Sequence, residues 1–493
     1  MNFSNSTTDK TERLKDTKAL AYQWESIDWM QVQNDVNRLQ SRIAKATVKG
    51  DKNKAKRLQY LLAHSFSAKA YAIKKVTTNK GKNTSGVDKK LWLTSASKMK
   101  AVLALTDKHY KAKPLKRVYI EKKGKNKKRP LGIPTMYDRA MQTLYALALE
   151  PIAETTGDNI SFGFRRGRSA KDACEQIFCV LARKCSPTWI LEGDIKGCFD
   201  NINHSWLQKN IPMDKRIMKQ FLKAGFIYEG KLFPTDTGSP QGGAISSLYA
   251  NMTLDGLEKV IQDKYHRNSK GNIENHYRAK TKVNLVRYAD DFIITANTKE
   301  VAEELKVIVS QFLDARGLML SEEKTKITHI DEGFDFLGWT FRKFKDKLIV
   351  KPSKSSIKSL IRKCSTIILK EGKASTQFDI IRRLNQVIRG WTNYHKHTVA
   401  SQAFSNINNT LYYLLHHWAK HRHPNKNKWW RLNRYWHEKN WKRWVFMTDD
   451  YCLINLKRIK IARHPKLQIS KNPFLHKNYY AKRKMELHSL NAA

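Results

Sequence analysis

The chain has 493 residues, 41% of them hydrophobic, and sets 93 Lys plus Arg against 44 Asp plus Glu for a net charge of +49. That length predicts two to four domains rather than one core, and the charge predicts a polyanionic partner, most often nucleic acid. Six cysteines with no C-x-x-C pair exclude a disulfide scaffold, and no window approaches the ~18 apolar residues of a membrane span, so a soluble intracellular protein, not associated with membrane, is expected.

In chain order, residues 20–75 place apolar side chains at three- and four-residue intervals and predict helices. TTNKGKNTSGVD, 77–88, reads as a loop. KRVYIEKKGKNKKRPLGIPT, 116–135, reads as a hairpin with a cationic tip, and YDRAMQTLYALALEPIAETT, 137–156, as an amphipathic helix ending near Gly157. From 188 to 341 short apolar strands alternate with helices, an α+β pattern built on a sheet. KPSKSSIK, 351–358, marks a boundary, after which 356–445 reads as helical and 446–493 as basic, weakly patterned and mobile at its end. Residues 351–493 hold 30 basic and 6 acidic residues and seven of the thirteen Trp. Such a segment suits phosphates and unstacked bases, although each Trp taken singly is as well explained by packing.

VRYADDFIIT, 286–295, sets Asp290 and Asp291 side by side in an apolar run. Alone, the pair reads as a hairpin turn. TWILEGDIKGCFDNI adds Asp194 at the end of another apolar run. Two strands of one sheet, each bringing carboxylate to its tip, supply the oxygen donors that Mg²⁺ requires, and two such ions serve phosphoryl transfer. In a chain this basic, that combination predicts a polymerase or a nuclease.

KKRPLGIPT (127–135), SFGFRRGRSAKDA (161–173), LEGDIKGCFDNI (191–202), SPQGGAISSLYANMTLDGLE (239–258), RYADDF (287–292), GLMLSEEKTKI (317–327) and FDFLGWTF (334–341) follow one another in the order found in group II intron-encoded reverse transcriptases, and LNQVIRGWTNYHK (384–396) resembles their maturase or thumb motif. The chain resembles that family from roughly residue 55 to about 475. The resemblance implies a right-hand polymerase of fingers, palm and thumb, with a helical, RNA-binding N-terminal extension (1–90), fingers and palm (91–350), a thumb or maturase domain (351–445) and a basic, DNA-binding-like C-terminal segment (446–493).

It further implies RNA-directed DNA synthesis with two Mg²⁺ ions, acting on deoxynucleotide triphosphates, an RNA template with DNA primer, and intron RNA bound for splicing and mobility. Asp194, Asp290 and Asp291 become the catalytic and metal-binding carboxylates, with the Ile195 carbonyl a further candidate ligand. Arg129 and Lys122 would grip the triphosphate unless they are only a solvated basic loop. Phe199 would exclude a 2′-hydroxyl or is a core ring. Gln241 would contact the nucleotide, with Lys324 reaching it or the template. Phe336, Leu337 and Gly338 would hold the primer, or form a plain buried strand. Arg389, Trp391 and Tyr394 would touch RNA or pack the thumb. Two departures are Ser247 and Glu121 where the family has Pro. Only isolated Cys452 stands where paired Cys of a His-Asn-His endonuclease would be, so DNA cleavage is not expected. The alternatives are a splicing-only maturase and a reverse transcriptase of defence or repair.

Overall fold

The computed structural model describes residues 16–121, 128–267, 281–438 and 444–492. Helices Trp29–Val48, Lys52–His64 and Phe66–Thr78 pack on a 21-residue helix, Met136–Thr156. The predicted amphipathic helix is thus buried on nearly all sides, because the N-terminal helices cover it and helix Ser246–Leu254 packs on it as well. Its Pro151 has no N–H to donate to the Leu147 carbonyl four residues back. The buried amide of Gln40 donates to that carbonyl instead, at 2.8 Å, and so fills a gap that burial would otherwise make costly.

Strands β1 (Leu115–Glu121) and β2 (Lys128–Ile133) form the expected hairpin; its tip, with Lys122, lies outside the described residues. The hairpin shares a sheet with β4 (Phe226–Tyr228) and β5 (Lys231–Phe233) in the order β2-β1-β4-β5. Between these lies β3 (Trp189–Asp194), the centre of a second, antiparallel sheet with β6 (Asn284–Tyr288), β7 (Asp291–Ala296) and β8 (Lys326–His329), ordered β6-β7-β3-β8. Helix Lys299–Asp314 packs on one face of this sheet and helix Ala170–Leu181 on the other. Alternation along β7 and β3 explains the two cores: Ile294, Phe292 and Leu191 join the first, Ile293 and Ile190 the second.

A three-stranded sheet of β9 (Phe334–Phe336), β10 (Trp339–Phe344) and β11 (Lys347–Pro352) leads into helices Lys354–Ser365, Gln377–His395 and Ser401–Arg422, which have a core of their own. Within the segment 446–493, expected to be basic, weakly patterned and mobile at its end, residues 462–492 lie across the first two cores and end in helix Lys477–Ala492. Among the described residues no helix is long and apolar enough to cross a membrane.

Candidate active site

Strand register brings the acids together. Asp194, last in β3, is paired with Asp291, first in β7, and directly opposed residues project to the same face. Asp290 shares the two-residue connection of the β6–β7 hairpin with Ala289, which Tyr288 and Asp291 close. Ala289 takes φ 57°, a left-handed conformation that costs a non-glycine residue about 1–2 kcal/mol. The turn and the carboxylate cluster are therefore the same feature.

Asp290 has a carboxyl raised above the usual range, first by burial and then by the charge of Asp194, with Arg129 and Lys324 pulling the other way. Asp291 is pushed up to about 6 by burial, then by Asp290 and Asp194; it opens to solvent on one side and is hemmed in by protein on the other. Lys324, from the turn before β8, forms an ion pair with Asp194. Among the described residues no three His, Cys, Asp or Glu side chains are drawn together as a metal-binding group. Even so, Asp291 lies within side-chain hydrogen-bonding reach of Asp194, and Lys324 supplies a counter-charge.

The donor set nevertheless suits a hard cation, being oxygen throughout and carrying more negative charge than one ammonium offsets. Ile195 fits as well. The Asp194 carbonyl accepts from Ser321 at 2.8 Å and the Lys196 N–H donates to Met319 at 2.9 Å, so strand alternation turns the Ile195 carbonyl away from that side and toward the hairpin.

Arg129 lies exposed on β2. The SPQGG turn is bonded to the same strand, the Gly132 N–H donating to the Gln241 carbonyl at 2.8 Å. Ser239 in turn donates to the carbonyl of Phe199 at 2.6 Å. The segments that carry Arg129, Gln241 and Phe199 are thereby tied to one another through their backbones. Phe199 is half-buried, its ring edge-on to Phe164 at 6.4 Å.

Phe336, Leu337 and Gly338 make a tight turn and not a plain strand. Leu337 and Gly338 have φ of 50° and 84° between the paired Phe336 and Trp339, the pattern of a type I′ hairpin. The Tyr394 hydroxyl donates to the Leu337 carbonyl at 2.9 Å, and Trp339 stacks on Tyr394 at 4.5 Å. Trp391 donates to Ser356 at 3.0 Å and packs on Phe404. Tyr394 and Trp391 thus have partners within the protein, whereas Arg389 is exposed.

Gly163 and Arg287 lie inside the SFGFRRGRSAKDA and RYADDF motifs, where residue type alone does not mark them as functional. Segment 160–163 runs beside β6, with Phe162 N–H donating to Arg287 at 2.8 Å and Arg287 N–H to Ile160 at 3.0 Å. A Cβ on Gly163 would stand 2.4 Å from the amide nitrogen of Ala289, so only glycine lets this segment brace the turn. The Arg287 side chain, 1% exposed, pairs with Asp255 behind it. An arginine in an otherwise apolar strand was the available signal.

Three family models match: reverse transcriptase (RNA-dependent DNA polymerase) over residues 120–341, the N-terminal domain of reverse transcriptase over 24–105, and the group II intron maturase-specific domain over 357–436. Group II intron-encoded protein LtrA of Lactococcus lactis subsp. cremoris is 35% identical over 341 residues, 58% of this chain and 56% of that protein. Protein YkfC of Escherichia coli is 32% identical over 304 residues, 55% of this chain and 78% of that protein. The chain thus spans little more than half the length of LtrA. A solved telomerase from Candida albicans overlaps 64% of this chain and 60% of its own at 12% identity and TM-score 0.37, too loose a likeness to carry an argument.

Proposed function

Because the chain belongs to the group II intron reverse transcriptase and maturase family, we propose that it is an RNA-directed DNA polymerase that also binds intron RNA and assists splicing and mobility. The observation that carries the reading is Asp194 opposite Asp291 with Asp290 in the adjoining turn. In this reading Asp194, Asp290, Asp291 and the Ile195 carbonyl hold two Mg²⁺ ions. Such ions, when bound, neutralise charge on the attacking and departing oxygens of nucleotidyl transfer.

The remaining roles are positioning and electrostatics. Arg129 offers a planar fork to the triphosphate, and Lys122 would add charge from the hairpin tip. Gln241 meets the nucleotide from the turn anchored on β2. The Phe199 ring, backed by Phe164, closes the space a 2′-hydroxyl would need. Lys324 has a half-exposed side chain, long enough to leave Asp194 for a phosphate oxygen. The Phe336-Leu337-Gly338 turn supports the primer strand, Tyr394 holds the thumb against it, and Trp391 packs within the thumb. Exposed Arg389, the N-terminal helices of residues 1–90 and the basic residues beyond 351 bind template and intron RNA, with the segment from 446 also offering charge to DNA.

The test is primer extension on an RNA template with Mg²⁺ and deoxynucleotides. The Asp290→Ala, Asp291→Ala double variant should lose extension while retaining RNA binding. Undiminished extension by that variant rejects the assignment, and wild-type RNA binding without extension points to a splicing-only maturase.

A further inference from the structure

The loop of residues 158–169 is held from two sides. On one side it braces the carboxylate turn, through Phe162, Gly163 and Arg287 as described and through the Asn251 amide, which donates to the Gly163 carbonyl at 2.8 Å. Its other side is covered by the last thirty residues of the described chain.

Those residues form a strap. The Ala462 N–H donates to the Lys396 carbonyl at 3.0 Å, which ties the start of the strap to the thumb. Arg168 donates to the Ile469 carbonyl at 3.2 Å. The Arg166 guanidinium lies 5.2 Å from the centre of the Phe474 ring. A Cβ at Gly167 would stand 2.5 Å from the Tyr480 ring, so strap and loop are in direct contact there. Asn472 reaches further, donating to Thr155 at 3.0 Å on the long helix.

The firmest anchor is Asp172, just past the loop. One carboxylate oxygen accepts from Ser169, from N–H at 2.8 Å and from hydroxyl at 2.7 Å, and so caps helix Ala170–Leu181. The other oxygen meets His464 at 2.9 Å and the Arg483 guanidinium, both on the strap. Asp172 is 2% exposed, and His464 and Arg483 only 5% and 4%. A carboxylate buried this deeply needs a charged partner, and the strap provides it from nearly three hundred residues away.

We infer that the strap, residues 462–490, positions the carboxylate turn: by holding Gly167, Arg168 and Asp172 it keeps the 158–169 loop pressed on Ala289, and loosening it lowers turnover without weakening substrate binding. The strap residues are positioning residues, since none of them belongs to the site built from β3, β6 and β7. The inference rests on the polymerase reading.

The test compares full-length Arg483→Gln, Tyr480→Leu and Asn472→Ala proteins with wild type in Mg²⁺-dependent primer extension, measuring kcat and KM for nucleotide, template–primer affinity and melting temperature. Arg483→Gln should lower kcat about tenfold, with KM and affinity within about twofold of wild type, and Arg483→Lys should recover most of the loss. Tyr480→Leu, which removes only the contact over Gly167, should lower kcat in the same sense and decides the matter if Arg483→Gln does not fold. Asn472→Ala, which removes a contact to helix Met136–Thr156 and none to the loop, should keep wild-type kcat. Loop-facing variants with unchanged kcat overturn the inference, as does a fall in kcat that merely follows melting temperature across all variants. A wild-type chain that extends no primer removes the polymerase reading and the strap inference together, whereas extension by wild type with undiminished kcat in Arg483→Gln and Tyr480→Leu removes the strap inference alone.

Discussion

Gly163→Ala adds one methyl group where there is no room. Its Cβ would stand 2.4 Å from the amide nitrogen of Ala289, 2.9 Å from the carbonyl carbon of Tyr288 and 3.0 Å from the Ala289 Cβ, against ordinary contacts that begin at 3.4 Å. Gly163 is not among the glycines with positive φ, so alanine can adopt its backbone and the effect is one of space. Relief requires about 1 Å of movement, and two of the crowded atoms are backbone of the turn that carries Asp290. A misplacement of about 1 Å in a reacting geometry costs about 100-fold in rate, or about 2.7 kcal/mol of transition-state stabilisation. The stability loss from overpacking should be about 1–3 kcal/mol, leaving the protein folded at assay temperature. Single-turnover primer extension, with a melting curve on the same preparation, separates the two effects. A wild-type rate from a folded Gly163→Ala protein refutes the claim that this loop braces the turn.

Four further outcomes are expected. The Asp291 carboxyl, pushed up to about 6, lies above its unfolded value, so its ionisation opposes folding as pH rises from about 4 to 6; Asp291→Asn should raise the melting temperature at pH 7 and lose that advantage toward pH 4. Lys324→Ala breaks a half-exposed ion pair and should change stability by no more than about 1 kcal/mol, while raising KM for nucleotide about tenfold if the ammonium contacts a phosphate; an unchanged KM in steady-state extension excludes that contact. Gln40→Leu leaves the Leu147 carbonyl without its donor and should lower unfolding free energy by about 1–3 kcal/mol in urea titration, with extension retained. RNA affinity should fall steeply with salt, by about 10³ or more between 50 and 200 mM if six or more phosphates are neutralised; a flat salt dependence in filter binding would mean that the basic surface faces away from RNA.

The sequence alone was sufficient for what depends on neighbours in the chain. The helix of residues 137–156 was readable from its apolar spacing and its Gly157 end, and it forms as Met136–Thr156. The hairpin presenting Asp290 and Asp291 was readable because two apolar runs flank a residue type that tolerates turns. A tight turn at Leu337 was not, because leucine seldom takes positive φ and only its clamp by Tyr394 and the following sheet holds it there. The same holds for Gln40 beside Pro151, for Gly163 beneath Ala289, and for Asp172 between His464 and Arg483. These pairs are far apart in the chain and leave no local period, since side chains that meet only after folding have no fixed spacing before it. Composition and pattern determined which residues are charged, apolar or turn-forming; the packing of distant segments decided which of them hold the carboxylates in place.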